Sequence, residues 1–113
     1  MKSIDEADYV IRIGQNAAEN DELFRMADME DNWFHLRNGP SAHVWLHMKN
    51  RELLKPQVMR ELHKRCALLV KGHSRCPQGR TYVNHLKRRQ LSRPPDSASG
   101  TVFMLKSPET VTC

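Results

Sequence analysis

The chain has 113 residues and a mass of 13.1 kDa, with 39% hydrophobic and 27% charged residues and a mean hydropathy of -0.68. That suffices for one core and excludes a two-lobed enzyme with its cleft between domains. No apolar run reaches the ~18 residues of a membrane span, and three irregularly spaced cysteines make no disulfide framework. The first six residues have no apolar signal-peptide core, so a reducing, cytoplasmic setting is expected. The net charge of +5 is uneven: residues 1–50 carry −4 and residues 51–113 carry +9. The basic half points to a polyanion, most simply a nucleic acid, and the acidic half could leave one side for a protein partner.

Along the chain, residues 1–8 are polar and expected to fray. Tyr9 to Ile13 is β-branched and stops at Gly14, which predicts a strand. Asn16 with Glu19 three residues later predicts a capped helix over Ala17 to Met26, with Leu23, Met26 and Ala27 inward. Asn32 to Arg37 and His43 to Met48 predict a hairpin about Asn38-Gly39-Pro40-Ser41-Ala42. Pro56 and Gly72 bracket a second helix whose Val58, Leu62, Cys66 and Leu69 recur at helical spacing. A polar loop with Pro77 and Gly79 follows, then a strand over Thr81 to Arg88. Gln90 to Gly100 is rich in Ser, Pro and Arg and predicts a mobile loop. Thr101 to Lys106 and Thr110 to Cys113 predict a closing hairpin. Residues 9–113 thus form one α+β domain, with five or six mostly antiparallel strands and two helices.

Strand alternation places Phe34, Leu36, Val44, Leu46 and Met48 on one hairpin face. The other face collects Trp33, His35, Arg37, His43, Trp45 and His47. Rings beside cations suit base stacking. The same pattern also fits a second covered face, with the tryptophans in the core and the histidines hydrogen-bonded. Trp33 is expected to be the more buried of the two tryptophans. His43 and His47 are ~13 Å apart along a strand, too far for one metal. Asp31, His35 and His43 could be neighbours across the hairpin, but no motif spacing supports a ligand set. Cys66, His73 and Cys76 lack a complementary pair. There is no nucleophile elbow around Ser41, no P-loop and no dinucleotide fingerprint.

Ile13-Gly14-Gln15-Asn16-Ala17-Ala18-Glu19-Asn20-Asp21-Glu22-Leu23 resembles the opening of the NFACT-R domain family. Asp31-Asn32-Trp33-Phe34-His35 is similar to its D-x-W-F-H signature, and Ser41-Ala42-His43-Val44 to its S-x-H-V signature. The ending from Gly100 to Val111 resembles its closing segment. Gln15 stands where the family usually has Arg. The resemblance implies RNA binding, with tRNA, ribosomal RNA and the large ribosomal subunit as partners, in translation or ribosome-associated quality control. It carries over no catalytic residue, metal or cofactor.

Three functions follow from these readings. The first is an RNA-binding module without chemistry of its own. Its contacts would be Trp33, His35, Arg37, Ser41, His43 and Trp45 on the hairpin, and Arg60, Lys64, Lys71, Arg75, Arg80, Lys87, Arg88, Arg89 and Arg93 in the basic half. The run from Lys87 to Arg93 is expected to follow a phosphate backbone. The second is an adaptor docking on an acidic protein. The third is a small metal-dependent hydrolase using Asp31, His35 and His43.

Overall fold

A computed structural model of the chain describes residues 1–75 and 79–113. Cys76 and Pro77, and with them the middle of the polar loop, lie outside the described residues. The strands are β1 (Lys2–Asp5), β2 (Tyr9–Gly14), β3 (Asn32–Leu36), β4 (His43–Met48), β5 (Tyr82–Lys87), β6 (Leu91–Ser92), β7 (Phe103–Met104) and β8 (Glu109–Thr112). The helices are α1 (Ala17–Met26) and α2 (Pro56–His73), with short 3-10 turns at Arg51–Leu53 and Arg88–Gln90. Among the described residues, six strands form an antiparallel sheet in the order β1-β2-β4-β3-β5-β8, and β6 pairs with β7 apart from it. The fold is α+β, as the sequence predicts.

Asn16 caps α1, its Oδ1 accepting from the Glu19 amide at 2.9 Å. Pro56 opens α2 in the first turn, where its missing N–H costs nothing. Leu62, Cys66, Ala67 and Val70 share one side of the helix and pack on Ile11, Ile13, Phe34, Leu36, Val44, Leu46 and Val83. That is the first sheet face. The second is equally dry: Leu23 and Phe24 of α1, with Leu91, cover Trp33, Trp45 and Leu86. Gly14 permits this layer, since a Cβ there would meet Asn20 Oδ1 at 2.2 Å and Leu23 Cδ1 at 3.0 Å.

Two expectations are corrected here. The N-terminus is not frayed at Lys2–Asp5, which pairs with β2 from Lys2↔Ile13 to Asp5↔Val10; Ile4 packs on the α2 core, and the N-terminal amine binds Glu19. The last two strands are not a hairpin. β8 joins β5, while β7 crosses to β6. The register takes Val111 onto Val83 and the α2 core, and Val102, just before β7, packs with the tryptophans on the opposite face.

Candidate nucleic-acid interface

The hairpin face read as a stacking platform is covered. Trp33 and Trp45 are each only 3% exposed, so neither ring is open to a base, and Trp33 is not the more buried. The covering layer is α1 plus the arm from Leu91 to Val102, supplied by a part of the chain that local alternation does not report. Trp33 Nε1 donates to His43 Nδ1 at 3.2 Å. Burial, with His35 close by, pushes the His43 pKa down to about 3, so its ring is neutral and able to accept. His35 is half-buried, stacks on Trp33 with centroids 5.3 Å apart, and donates from Nδ1 to the Leu36 carbonyl at 2.6 Å. Ser41 Oγ accepts from the Leu36 amide and donates to the Ala42 carbonyl, closing the turn. Arg37 lies over the Tyr82 ring and donates to Thr110 Oγ1 at 2.9 Å.

Asp31 does not join His35 and His43. Its Oδ1 accepts from His47 Nδ1 at 2.7 Å and its Oδ2 from the Asp28 amide at 2.9 Å. Asp28, Asp31 and His47 bring ligand-type atoms within 4.8 Å of one another. Asp31 ties the group together, one oxygen bound to His47 of β4 and the other to the Asp28 amide.

The basic run is also engaged internally. Lys87 and Arg89 pair with Glu30 at 2.9 and 3.4 Å. Arg88 lies 3.6 Å from the Phe24 ring centroid and donates to the Phe24 carbonyl. Arg93 pairs with Asp21 at 2.9 Å. The acidic and basic halves of the sequence therefore meet within the fold: Arg88 and Arg93 fasten the segment to α1, while Lys87 and Arg89 pair with Glu30 at the surface.

What remains open is a flank of α2. Arg60 and Lys64 are one turn apart and exposed. Lys71 continues the row, with its Nζ donating to the Gly79 and Cys113 carbonyls. Arg75 and Arg80 are exposed beyond the helix end. Among the described residues, no carboxylate pairs with Arg60, Lys64, Arg75 or Arg80. Helical spacing places this row on the His63 side of α2, toward β5 and β8.

Below that flank is a cleft of about 510 Å³ that no sequence motif announces. It opens beyond the start of β3, because β3 begins opposite Leu46 while β4 runs on through His47 and Met48. His85 of β5 faces Phe34 of β3, and its Nε2 donates to Asn32 Oδ1 at 2.8 Å. His63 of α2 sits against His85 with ring centroids 4.3 Å apart. Burial, reinforced by His85, lowers the His63 pKa to about 4. Alternation of His85 with Val83 was the only sequence signal for this site, and it acquires meaning only once β5 is known to pair with β3.

The family described as "NFACT protein RNA binding domain" matches residues 2–106. Coiled-coil domain-containing protein 25 from Mus musculus and from Bos taurus are each 35% identical over 72 residues, covering 64% of this chain and 34% of theirs. The chain thus spans about a third of the length of the curated relatives it matches. The solved C-terminal part of the fibronectin/fibrinogen-binding protein from Streptococcus suis superimposes with a TM-score of 0.77 at 25% identity, covering 92% of this chain and 40% of that one. The signature residues at the hairpin and the α1 opening are therefore those of a shared fold, and the chain belongs to the NFACT protein RNA-binding domain family.

Proposed function

We propose that the chain binds tRNA or large-subunit ribosomal RNA in the cytoplasm, in translation or ribosome-associated quality control, and performs no chemistry of its own. The family supplies RNA as the kind of partner. The observation that carries the contact surface is the row of exposed cations on α2, Arg60 and Lys64, which no carboxylate of the described residues neutralises. Such groups can displace the counterions condensed on a phosphate backbone, whereas Lys87, Arg89 and Arg93 already have intramolecular partners. Electrostatic capture on this flank is sequence-tolerant, which suits a structured RNA recognised by shape. The test is the binding of purified tRNA and of large ribosomal subunits across a salt series. Tight, salt-steep binding to either supports the reading, and equal weak binding to any polyanion, heparin included, overturns it.

A further inference from the structure

We propose that the cleft at the start of β3 is a subsite for a single unpaired RNA base; the proposal rests on the RNA-binding reading above. At about 510 Å³ the cleft is within the size range of small-ligand sites. Its lining is not that of a phosphate site, because the four basic side chains around it are matched by four acidic ones, among them Glu30 and Asp31. An anion drawn inside would meet those carboxylates. A neutral, flat group would not, and Met48, Met59, Leu54 and Leu86 give it apolar walls.

The polar groups are of the kind that read an edge. Asn32 is 5% exposed and lines the cleft, and its Oδ1 is taken by His85. The Nδ2 donor of the same amide has no protein partner among the described residues. His47 commits Nδ1 to Asp31, which leaves Nε2 as the ring's other polar atom. An amide donor and an imidazole nitrogen above apolar walls suit the hydrogen-bonding edge of a base. That edge is exposed only when the base is unpaired. The adjoining phosphates would lie outside, near Arg51 and Lys106 on the rim and the Arg60–Lys64 row beyond it.

Leu54 gives a clean test, since it lines the cleft yet is 45% exposed. Leu54→Trp would fill the cleft from outside, and Leu54→Ala would leave it open. Binding is measured to a short single-stranded RNA and to a blunt RNA duplex of the same length, with melting temperatures recorded for each variant. Leu54→Trp should weaken single-strand binding by about tenfold, as expected for loss of one base contact, and leave duplex binding unchanged. Leu54→Ala trims one wall without filling the cleft, so it should weaken single-strand binding less than Leu54→Trp does. If Leu54→Trp changes neither RNA, or weakens both equally, the subsite is overturned while RNA binding stands. If the unaltered chain binds neither RNA, the RNA-binding reading and the subsite fall together.

Discussion

Asp21 of α1 and Arg93 of the arm form an ion pair at 2.9 Å, with side chains only 12% and 20% exposed. The same carboxylate accepts from Ser99 Oγ at 2.6 Å and from the Gly100 amide at 2.7 Å. Gly100 has φ of 80°, and a Cβ there would come within 2.9 Å of Ala17 Cα, so glycine lets the arm lie directly on the helix. One aspartate thus holds both ends of the Ser/Pro-rich segment. The hydrogen bond from Ser99 is the main influence keeping its pKa below the ordinary 3.8, followed by the Gly100 amide and then Arg93.

Asp21→Ala should therefore release the arm. Leu91 and Val102 would lift from the tryptophans, shifting Trp fluorescence to the red and speeding amide exchange at Leu105, which donates to the Gln90 carbonyl. The pH response has a defined sign. A depressed carboxyl pKa contributes stability in full above its unfolded value and loses it as pH falls through the folded one. Docking should hold down to pH ~4 and loosen below. An Asp21→Ala chain with unchanged fluorescence and exchange would show that the arm does not depend on this pair.

The two tryptophans are equally buried but differently satisfied. Trp33 Nε1 has His43 as its acceptor, whereas Trp45 Nε1 is buried with no partner. Trp33→Phe leaves His43 Nδ1 unpaired and should cost about 1–3 kcal/mol beyond the lost volume. Trp45→Phe relieves an orphan donor and should be the milder change by about 1 kcal/mol or more. Truncating either to Ala should cost about 3–5 kcal/mol. Denaturant unfolding gives the order, and a milder Trp33→Phe would contradict it.

Stability should fall as the solution is acidified from neutral. Burial lowers the pKa values of His35, His43, His63 and His85 in the folded chain. The unfolded chain takes up protons at these positions below its ordinary value near 6.5, while the folded chain resists. With the folded value at about 3, His43 alone should remove about 2 kcal/mol between pH 7 and pH 5. His63, more open to solvent, should contribute less. Unfolding midpoints measured across that range should drop, and His43→Gln should flatten the dependence. A midpoint independent of pH from 7 to 5 would refute the neutral buried ring.

Salt dependence of RNA binding separates free from engaged cations. Removing Arg60 and Lys64 together should lower the slope of log affinity against log salt by about 1.5. Arg88→Ala should leave that slope unchanged and lower stability by about 1–2 kcal/mol, because it loses the Phe24 ring and carbonyl contacts. The reverse pattern would move the interface from α2 to the arm.

Much of the architecture is local and could be read from the sequence. The Asn16 cap, Pro56 at the start of α2, the helical spacing of Leu62 and Cys66 and the alternation of Phe34, Leu36, Val44 and Leu46 are short-range patterns, set by a residue and its neighbours within a turn or a pleat. The family motifs were legible for the same reason. Alternation could state that Trp33, His35, His43 and Trp45 share a face, but not what lies on it. That face is closed by Leu23 and Phe24 on one side of the hairpin in sequence and by Leu91 and Val102 on the other. Likewise, a run of cations looks available until Glu30, Phe24 and Asp21 are brought against it from about 60–70 residues away. The cleft depends on the same kind of information, since Asn32, His63 and His85 meet only through the β3–β5 pairing and the packing of α2. Local preferences act over a few bonds, whereas burial and charge pairing are settled by which surfaces the whole chain removes from water. For this protein the sequence determined both helices, the central strands and the RNA-binding family, and the tertiary structure decided which side chains are buried and which lie exposed.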